Sequence, residues 1–236
     1  MKIRSQYRTI AIATMLCVTA VLMLQHRTAQ AQSKRVIGVI SLALALEPDR
    51  AHGKQIYAEH CATCHGRGGE GNPDTVTPIL SGQVLTYLLK QLADMSEADR
   101  DVTEMHRLMA RPELSTPQAL RDVATFLNSL AVTAVPQRGD GGRLLVGERI
   151  YKSACLSCHG REAEGDFAGA VPALRGQHYS YLMMQLRQMA VGHRYSVDPE
   201  VIGLLEALSR DELSAVSDYL SRLKPHGGDK TIAALQ

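Results

Sequence analysis

Aromatic rings are scarce in this chain. Its 236 residues include no tryptophan and only two phenylalanines, and Phe, Trp and Tyr together make up 4%. Such rings carry much of the buried apolar area of an ordinary small domain, so a core here needs another source. Spare cysteine is also missing. Four of the five cysteines, Cys61, Cys64, Cys155 and Cys158, fall into two close pairs, and the fifth, Cys17, lies in an apolar stretch near the start. None is left for a structural disulfide. An excess of charge is lacking too. The formal charge of +2 includes Lys2, Arg4, Arg8 and Arg27, with no acid in residues 1–31, and the remainder carries −2. Neither value gives the broad basic field that nucleic acid attracts, so no nucleic-acid partner is expected. No alternating run marks a strand, so the chain reads as all-α.

The first residues have the pattern of an export signal. Lys2, Arg4 and Arg8 precede an apolar stretch from Ile10 to Leu24, and Ala29-Gln30-Ala31 supplies a small-x-small cleavage pattern. That stretch is short against the roughly 20 residues needed to span a bilayer. Residues 1–31 are therefore expected to be a cleaved signal peptide, which places the mature protein in the periplasm. An uncleaved membrane anchor is the alternative. Residues 32–47 hold a second apolar run, Val36 to Leu46, directly after Lys34-Arg35. It is too short to span. It is expected to pack on the following domain, with part of a longer export signal or association with a membrane complex as alternatives.

The chemistry lies in the paired cysteines. Cys61-Ala62-Thr63-Cys64-His65 recurs as Cys155-Leu156-Ser157-Cys158-His159. Cys-x-x-Cys-His is the attachment pattern of c-type haem. The two thiols add across the haem vinyl groups, and the adjacent histidine reaches the iron from the proximal face. A redox pair or half of a zinc site is the competing reading, and the recurrence with the histidine in place weighs against it. Two covalently bound haem c groups would also supply the apolar bulk that the missing rings do not.

The recurrence extends well beyond the motifs. An offset of 94 links Cys61 with Cys155, Gly53 with Gly147, Tyr57 with Tyr151, Pro78 with Pro172, Gly82-Gln83 with Gly176-Gln177, Tyr87-Leu88 with Tyr181-Leu182 and Leu114-Ser115 with Leu208-Ser209. The period is too long for a solenoid and describes two tandem domains, expected at 48–130 and 143–224. A linker at 131–142, rich in Pro and Gly, would hold the two cofactors close. The tail, 225–236, is expected to be mobile. Each unit should contain an opening helix that delivers the motif, a glycine-rich loop, a middle helix (about 84–95 and 179–189) and a closing helix. Ser115-Thr116-Pro117-Gln118 and Ser209-Arg210-Asp211-Glu212 both fit a capping box. Phe126 and Tyr219 on the closing helices should pack on the opening ones.

With both motifs, the Gly-Gln, Tyr-Leu and Gln-Leu segments and the Leu-Ser starts of the closing helices in place, residues 48–224 resemble the dihaem class I cytochromes c of the cytochrome c4 type. The resemblance implies that each domain wraps one haem and passes single electrons. It implies that His65 and His159 are proximal ligands, that the carbonyls of Pro78 and Pro172 accept from their rings, and that a methionine before the closing helix is the distal ligand. In the first copy Met105 is the preferred candidate, with Met109 and His106 behind it. The second copy departs from the pattern: its corresponding segment has no methionine, and Val201 stands near the expected place. There the iron is five-coordinate, or His193, Tyr195, Met183, Met184 or Met189 ligates it. His178 reads as part of its loop.

The leading expectation is thus a periplasmic dihaem electron carrier. Its redox partners would be drawn from a quinol-oxidising complex, a terminal oxidase or a dehydrogenase. The alternatives are a haem enzyme or small-ligand sensor using an open second haem, with His193 and Arg194 as the suggestive polar pair, or a cytochrome subunit of a dehydrogenase or oxidase complex.

Overall fold

The computed structural model describes residues 34–97, 103–194 and 197–225. The expected signal peptide with Cys17, the candidate ligand Tyr195 and the tail beyond residue 225 lie outside them. The apolar run after Lys34-Arg35 forms α1 (34–45). The first unit continues through α2 (Arg50–His60), α3 (Ala62–His65), α4 (Leu85–Ser96), α5 (Thr103–Met109) and α6 (Pro117–Ser129). The second comprises α7 (Leu144–Ile150), a π turn (Tyr151–Cys155), α8 (Leu156–His159), α9 (Tyr179–Ala190), α10 (Pro199–Glu206) and α11 (Arg210–Arg222). No strand forms among the described residues. Two isolated bridges, Asn72 with Thr77 and Asp166 with Val171, occupy matching places in the two units.

In each unit the opening helix crosses the closing one at a glycine. A Cβ on Gly53 would lie 2.1 Å from the Asp122 carbonyl oxygen in α6, and one on Gly147 would lie 2.1 Å from that of Ala215 in α11. Only the absence of a side chain permits so close an approach. One turn further on, Tyr57 tilts against Phe126 with ring centroids 5.5 Å apart, and Tyr151 against Tyr219 at 5.9 Å. The aromatic contacts expected from the closing helices are present.

Helix starts are fixed by side-chain acceptors. Asp49 caps α2, accepting the N–H groups of Ala51 and His52 at 2.9 and 3.0 Å. Ser209 and Glu212 form the expected capping box at α11, each side chain accepting the other's backbone N–H. The first copy corrects the parallel expectation. There the cap is Thr116, whose hydroxyl accepts from Ala119 N at 3.1 Å, while Ser115 Oγ turns back to the Pro112 carbonyl. Pro117 explains the shift: with no N–H and a helical φ, it suits the first helical position. Gln118 does not reciprocate and donates instead to Glu47 O and Asp122 Oδ1.

The first core is enlarged by α1. Val36 and Ala43 are buried in it, Val39 and Ile40 pack beside them, and Arg35 pairs with Glu97 at 3.2 Å, tying α1 to the end of α4. The spacing of these residues places one face of the helix on the domain; Ile37 and Leu42 on the other side are exposed. Among the described residues no helix is long and apolar enough to cross a membrane.

The two units dock through matching contacts. Gln83 Nε2 donates to Ala173 O at 3.0 Å and Gln83 Oε1 accepts from Ala173 N at 2.8 Å. Gln177 does the same with Ile79, at 2.9 Å in both directions. Thr86 Oγ1 donates to Phe167 O, and its counterpart Ser180 Oγ donates to Pro73 O. Each pair is related by the offset of 94, so the interface has a pseudo-twofold axis. Arg194 adds a further contact between the units. Its guanidinium leaves the second unit to bond Gln91 Oε1 at 2.6 Å and Tyr87 Oη at 3.1 Å in α4, while also bonding Gln185 Oε1 at 2.7 Å.

The segment between the units is extended and stitched to the second. Gly139 and Gly141 donate N–H to the Asp218 carboxylate at 2.9 and 2.7 Å, and Arg222 holds that carboxylate from the other side at 2.8 Å. Gln137 caps α9, its carbonyl and side-chain oxygens accepting from Tyr179 N and Ser180 N.

Two outcomes follow. Gly53→Ala or Gly147→Ala should force a helix crossing apart and lower the unfolding free energy by about 1–3 kcal/mol, read from denaturant titrations of the holoprotein. Arg194→Leu removes the guanidinium bonds to Gln91, Tyr87 and Gln185, at a cost of about 1–3 kcal/mol. It should loosen docking, seen as faster amide exchange along Leu85–Ser96 and Tyr179–Ala190 with each unit still folded. Unchanged exchange there would contradict the role given to Arg194.

Candidate haem-binding sites

Each motif sits at the C-terminal end of its opening helix. Cys61 caps α2 and starts α3, which stops after His65 because Gly66 turns at a φ of 77°. The second copy repeats this with Cys155, α8 and Gly160 at 84°. The result puts two thiols and an imidazole on one rim. Cys61 and Cys155 are half-buried and Cys64 and Cys158 exposed. Burial, helped by the neighbouring thiol, pushes Cys61 and Cys155 up to about 11.

Two tyrosines, absent from the sequence-based list of site residues, brace this turn. Tyr57 and Tyr151 are each 1% exposed. Tyr57 Oη donates to Gly66 O at 2.6 Å, and Tyr151 Oη to Gly160 O. Burial raises both phenols well above the usual range, so they remain protonated donors. Their signal was their place in the repeat register.

The glycine loops then return the chain beneath the histidines. Gly71, at a φ of 70°, accepts no Cβ: one would lie 2.6 Å from the Pro78 carbonyl carbon. Gly165, at 79°, stands in the same relation to Pro172. Ala163 takes the left-handed conformation, at a φ of 57°, that Gly69 takes in the first copy. The loops place the Pro78 carbonyl 3.3 Å from His65 Nδ1 and the Pro172 carbonyl 3.0 Å from His159 Nδ1. A carbonyl only accepts, so each ring is held as the Nδ1–H tautomer with its lone pair on Nε2. Burial lowers the proton affinity of both imidazoles, and the proline carbonyls partly oppose this. Neutral rings are what a metal requires of histidine.

In the first unit His65 faces an apolar cleft of about 430 Å³, counted to its open mouth. Ile56, Leu80, Leu92 and Leu127 line it with Cys61, and α5 contributes both Met105 and Met109. The two methionines are four residues apart and share a helix face. Met109 is buried and Met105 partly so. His106 is turned elsewhere, donating Nδ1–H to the Met95 carbonyl at 2.8 Å. A hydrophobic cleft lined by Cys61, an oriented imidazole and two thioethers, with Cys64 three residues on from Cys61, fits a covalently held haem.

The second unit shares the proximal side and differs on the other. At the offset of 94, Met105 corresponds to Pro199 and Met109 to Gly203. Both are exposed in α10, and a Cβ on Gly203 would meet nothing within 4 Å. Val201 and Ile202 are half-buried there. Met183, Met184 and Met189 in α9 correspond to Leu89, Lys90 and Met95, none of which lines the first cleft. Met184 Sδ accepts from Gln185 Nε2 at 3.5 Å. His193 is exposed, and its expected companion Arg194 is engaged across the domain interface. His178 is buried: Nδ1 accepts from Gln137 N at 3.1 Å, and Nε2–H therefore donates to Glu70 O at 3.0 Å. No three of His, Cys, Asp and Glu form a metal cage among the described residues.

The Cytochrome c family model matches residues 51–131 and again 145–224. The chain belongs to the cytochrome c family. This membership implies covalently bound haem c, once per matched region. The chain is 31% identical over 197 residues to cytochrome c4 of Pseudomonas aeruginosa, covering 79% of this chain and 94% of that one. It is 27% identical to a thiosulfate dehydrogenase electron acceptor of Stutzerimonas stutzeri, covering 79% and 93%. The crystal structure of reduced recombinant cytochrome c4 from Pseudomonas stutzeri superposes with a TM-score of 0.67 at 28% identity, covering 75% of this chain and all of that one. The all-α, two-domain cytochrome c architecture expected from the repeat is the one found.

The loop geometry has a direct test. Gly71→Ala combines a left-handed φ with a collision against Pro78, so it should displace that carbonyl from His65. The expected result is a loss of about 1–3 kcal/mol in unfolding free energy, with a changed His65 ring-nitrogen resonance. An unchanged resonance would show that Gly71 does not hold the loop.

Proposed function

We propose that the protein is an exported dihaem electron carrier, anchoring one haem through Cys61 and Cys64 and the other through Cys155 and Cys158. His65 and His159 are the proximal ligands, and α5 supplies the distal thioether of the first site. The observation that carries this reading is the duplicated proximal apparatus, in which each motif histidine is fixed by a proline carbonyl. Haem, when bound, supplies an iron that gains or loses one electron. The residues around it keep that change small: the carbonyls stop the imidazoles rotating, and the apolar cleft excludes water. A rigid ligand set suits electron transfer better than substrate turnover.

The periplasm is the compartment proposed, from the leader pattern of residues 1–31. Similarity to an electron acceptor of thiosulfate dehydrogenase supports a dehydrogenase as one donor, with a quinol-oxidising complex or a terminal oxidase as the other class of partner. The first-site ligand is Met105 in this reading. Exported protein should carry two haems by mass. In its ferric form, Met105→Ala should abolish the near-infrared thioether-to-iron band and Met109→Ala should preserve it. The reverse pattern would move the role to Met109.

A specific observation favours a different second site. Pro199 and Gly203 stand where the first unit has Met105 and Met109, so α10 brings no thioether to the second haem. The ferric protein should give two unlike magnetic-resonance signals, and only one site should contribute the thioether band. Two equal His/Met signals would overturn this.

A further inference from the structure

The amide clamps at the domain interface end where the proximal hydrogen bonds begin. His65 Nδ1–H donates to Pro78 O, and the next residue, Ile79, has both its N–H and its carbonyl held by Gln177 of the second domain, at 2.9 Å each. His159 Nδ1–H donates to Pro172 O, and the next residue, Ala173, is held by Gln83 of the first domain, at 2.8 and 3.0 Å. Both glutamines are buried, at 9% and 7% exposure. Their orientation is fixed further, because Gln83 Oε1 also accepts from Val84 N and Gln177 Oε1 from His178 N. The Ile79 and Ala173 peptide groups are therefore positioned by the opposite domain.

We infer that Gln177 is a positioning residue for the first haem and Gln83 for the second, so that each domain sets the reduction potential of its neighbour. The inference rests on the haem reading of the two motifs and deepens it. A hydrogen bond to the outer nitrogen of a ligating imidazole increases its basicity, and the strength of that bond depends on where the carbonyl is held. A more basic imidazole favours the ferric state. Releasing Ile79 lets the Pro78 carbonyl relax away from His65, which raises the potential of the first haem. Releasing Ala173 does the same to the second.

The test compares the holoprotein with Gln177→Leu and Gln83→Leu, which retain bulk and lose the amide. Ferric NMR resolves the haem methyl resonances, assigned to each domain by contacts with Ile56 or Ile150, and redox titration followed by the same signals gives each potential. Gln177→Leu should raise the potential of the first haem and shift its methyl resonances while the second stays near its parent values. Gln83→Leu should do the opposite. Gln177→Glu keeps the acceptor for Ile79 N–H and should give a smaller shift at the same haem; it also serves if the leucine variant fails to fold. A shift confined to the mutated residue's own domain would overturn the inference. So would an equal shift at both haems, which simple undocking produces, or no shift. Mass and visible spectra separate this failure from loss of the functional reading: two haems with misplaced shifts reject only the inference, and absent haem rejects both.

Discussion

The whole arrangement depends on two helix crossings at glycine. The opening helix of each unit can deliver Cys-x-x-Cys-His to a cleft only if its axis lies against the closing helix, and Gly53 and Gly147 are where the backbones touch. From that contact the rest follows in order. The tyrosine one turn later packs on the closing helix and reaches the carbonyl that ends the motif. The motif stops at a left-handed glycine, the loop doubles back, and the proline carbonyl meets the imidazole. The tyrosine and the imidazole both donate to backbone carbonyls, so the course of the chain sets where each side chain is held.

Docking of the two units uses a different kind of interaction. Its hydrogen bonds run mainly from side-chain amides and hydroxyls to backbone groups. A satisfied buried amide contributes modestly to stability, while an unsatisfied one costs about 1–3 kcal/mol. Such an interface therefore selects one register strongly. Gln83 and Gln177 each require one particular residue with both its backbone N–H and its carbonyl free, and the pseudo-twofold arrangement offers both. The extended linker, pinned by Asp218 and Arg222, limits the alternatives that the chain can sample.

Much of this was legible in the residues. The 94-residue offset marked the two domains, and the motif histidines, glycine loops and prolines appear where the register put them. Legibility ended where a role needs a partner far away in sequence. Gln83 and Gln177 were visible only as repeated letters, because their partners lie in the other domain. Arg194 looked like a polar loop residue beside His193, and its bonds to Tyr87 and Gln91 could not be read from a local window. The α1 packing was an expectation from length alone; Val36 and Ala43 supply the buried face. The cap of α6 moved by one residue because a proline competes with the serine for the start of the helix.

The asymmetries between the copies form a pattern. The second unit has a π turn before its motif, an alanine in a left-handed position, Ser217 and Ser221 where the first cleft has Val123 and Leu127, and no methionine in α10. Those serine hydroxyls are buried and satisfied within their own helix, donating to Leu213 O and Asp218 O, so they keep the fold and lose apolar bulk. His178, where the first copy has Val84, gives the second unit a polar bridge to both the linker and the Glu70 loop. The first unit, with a larger core and α1 added to it, keeps the apolar cleft with its methionines. The second unit has Ser217, Ser221 and His178 where the first has apolar side chains, so it pairs the same backbone plan with more polar groups at these places. On the proposed haem reading, that difference in polarity and the absence of methionine from α10 both act to make the two sites unlike.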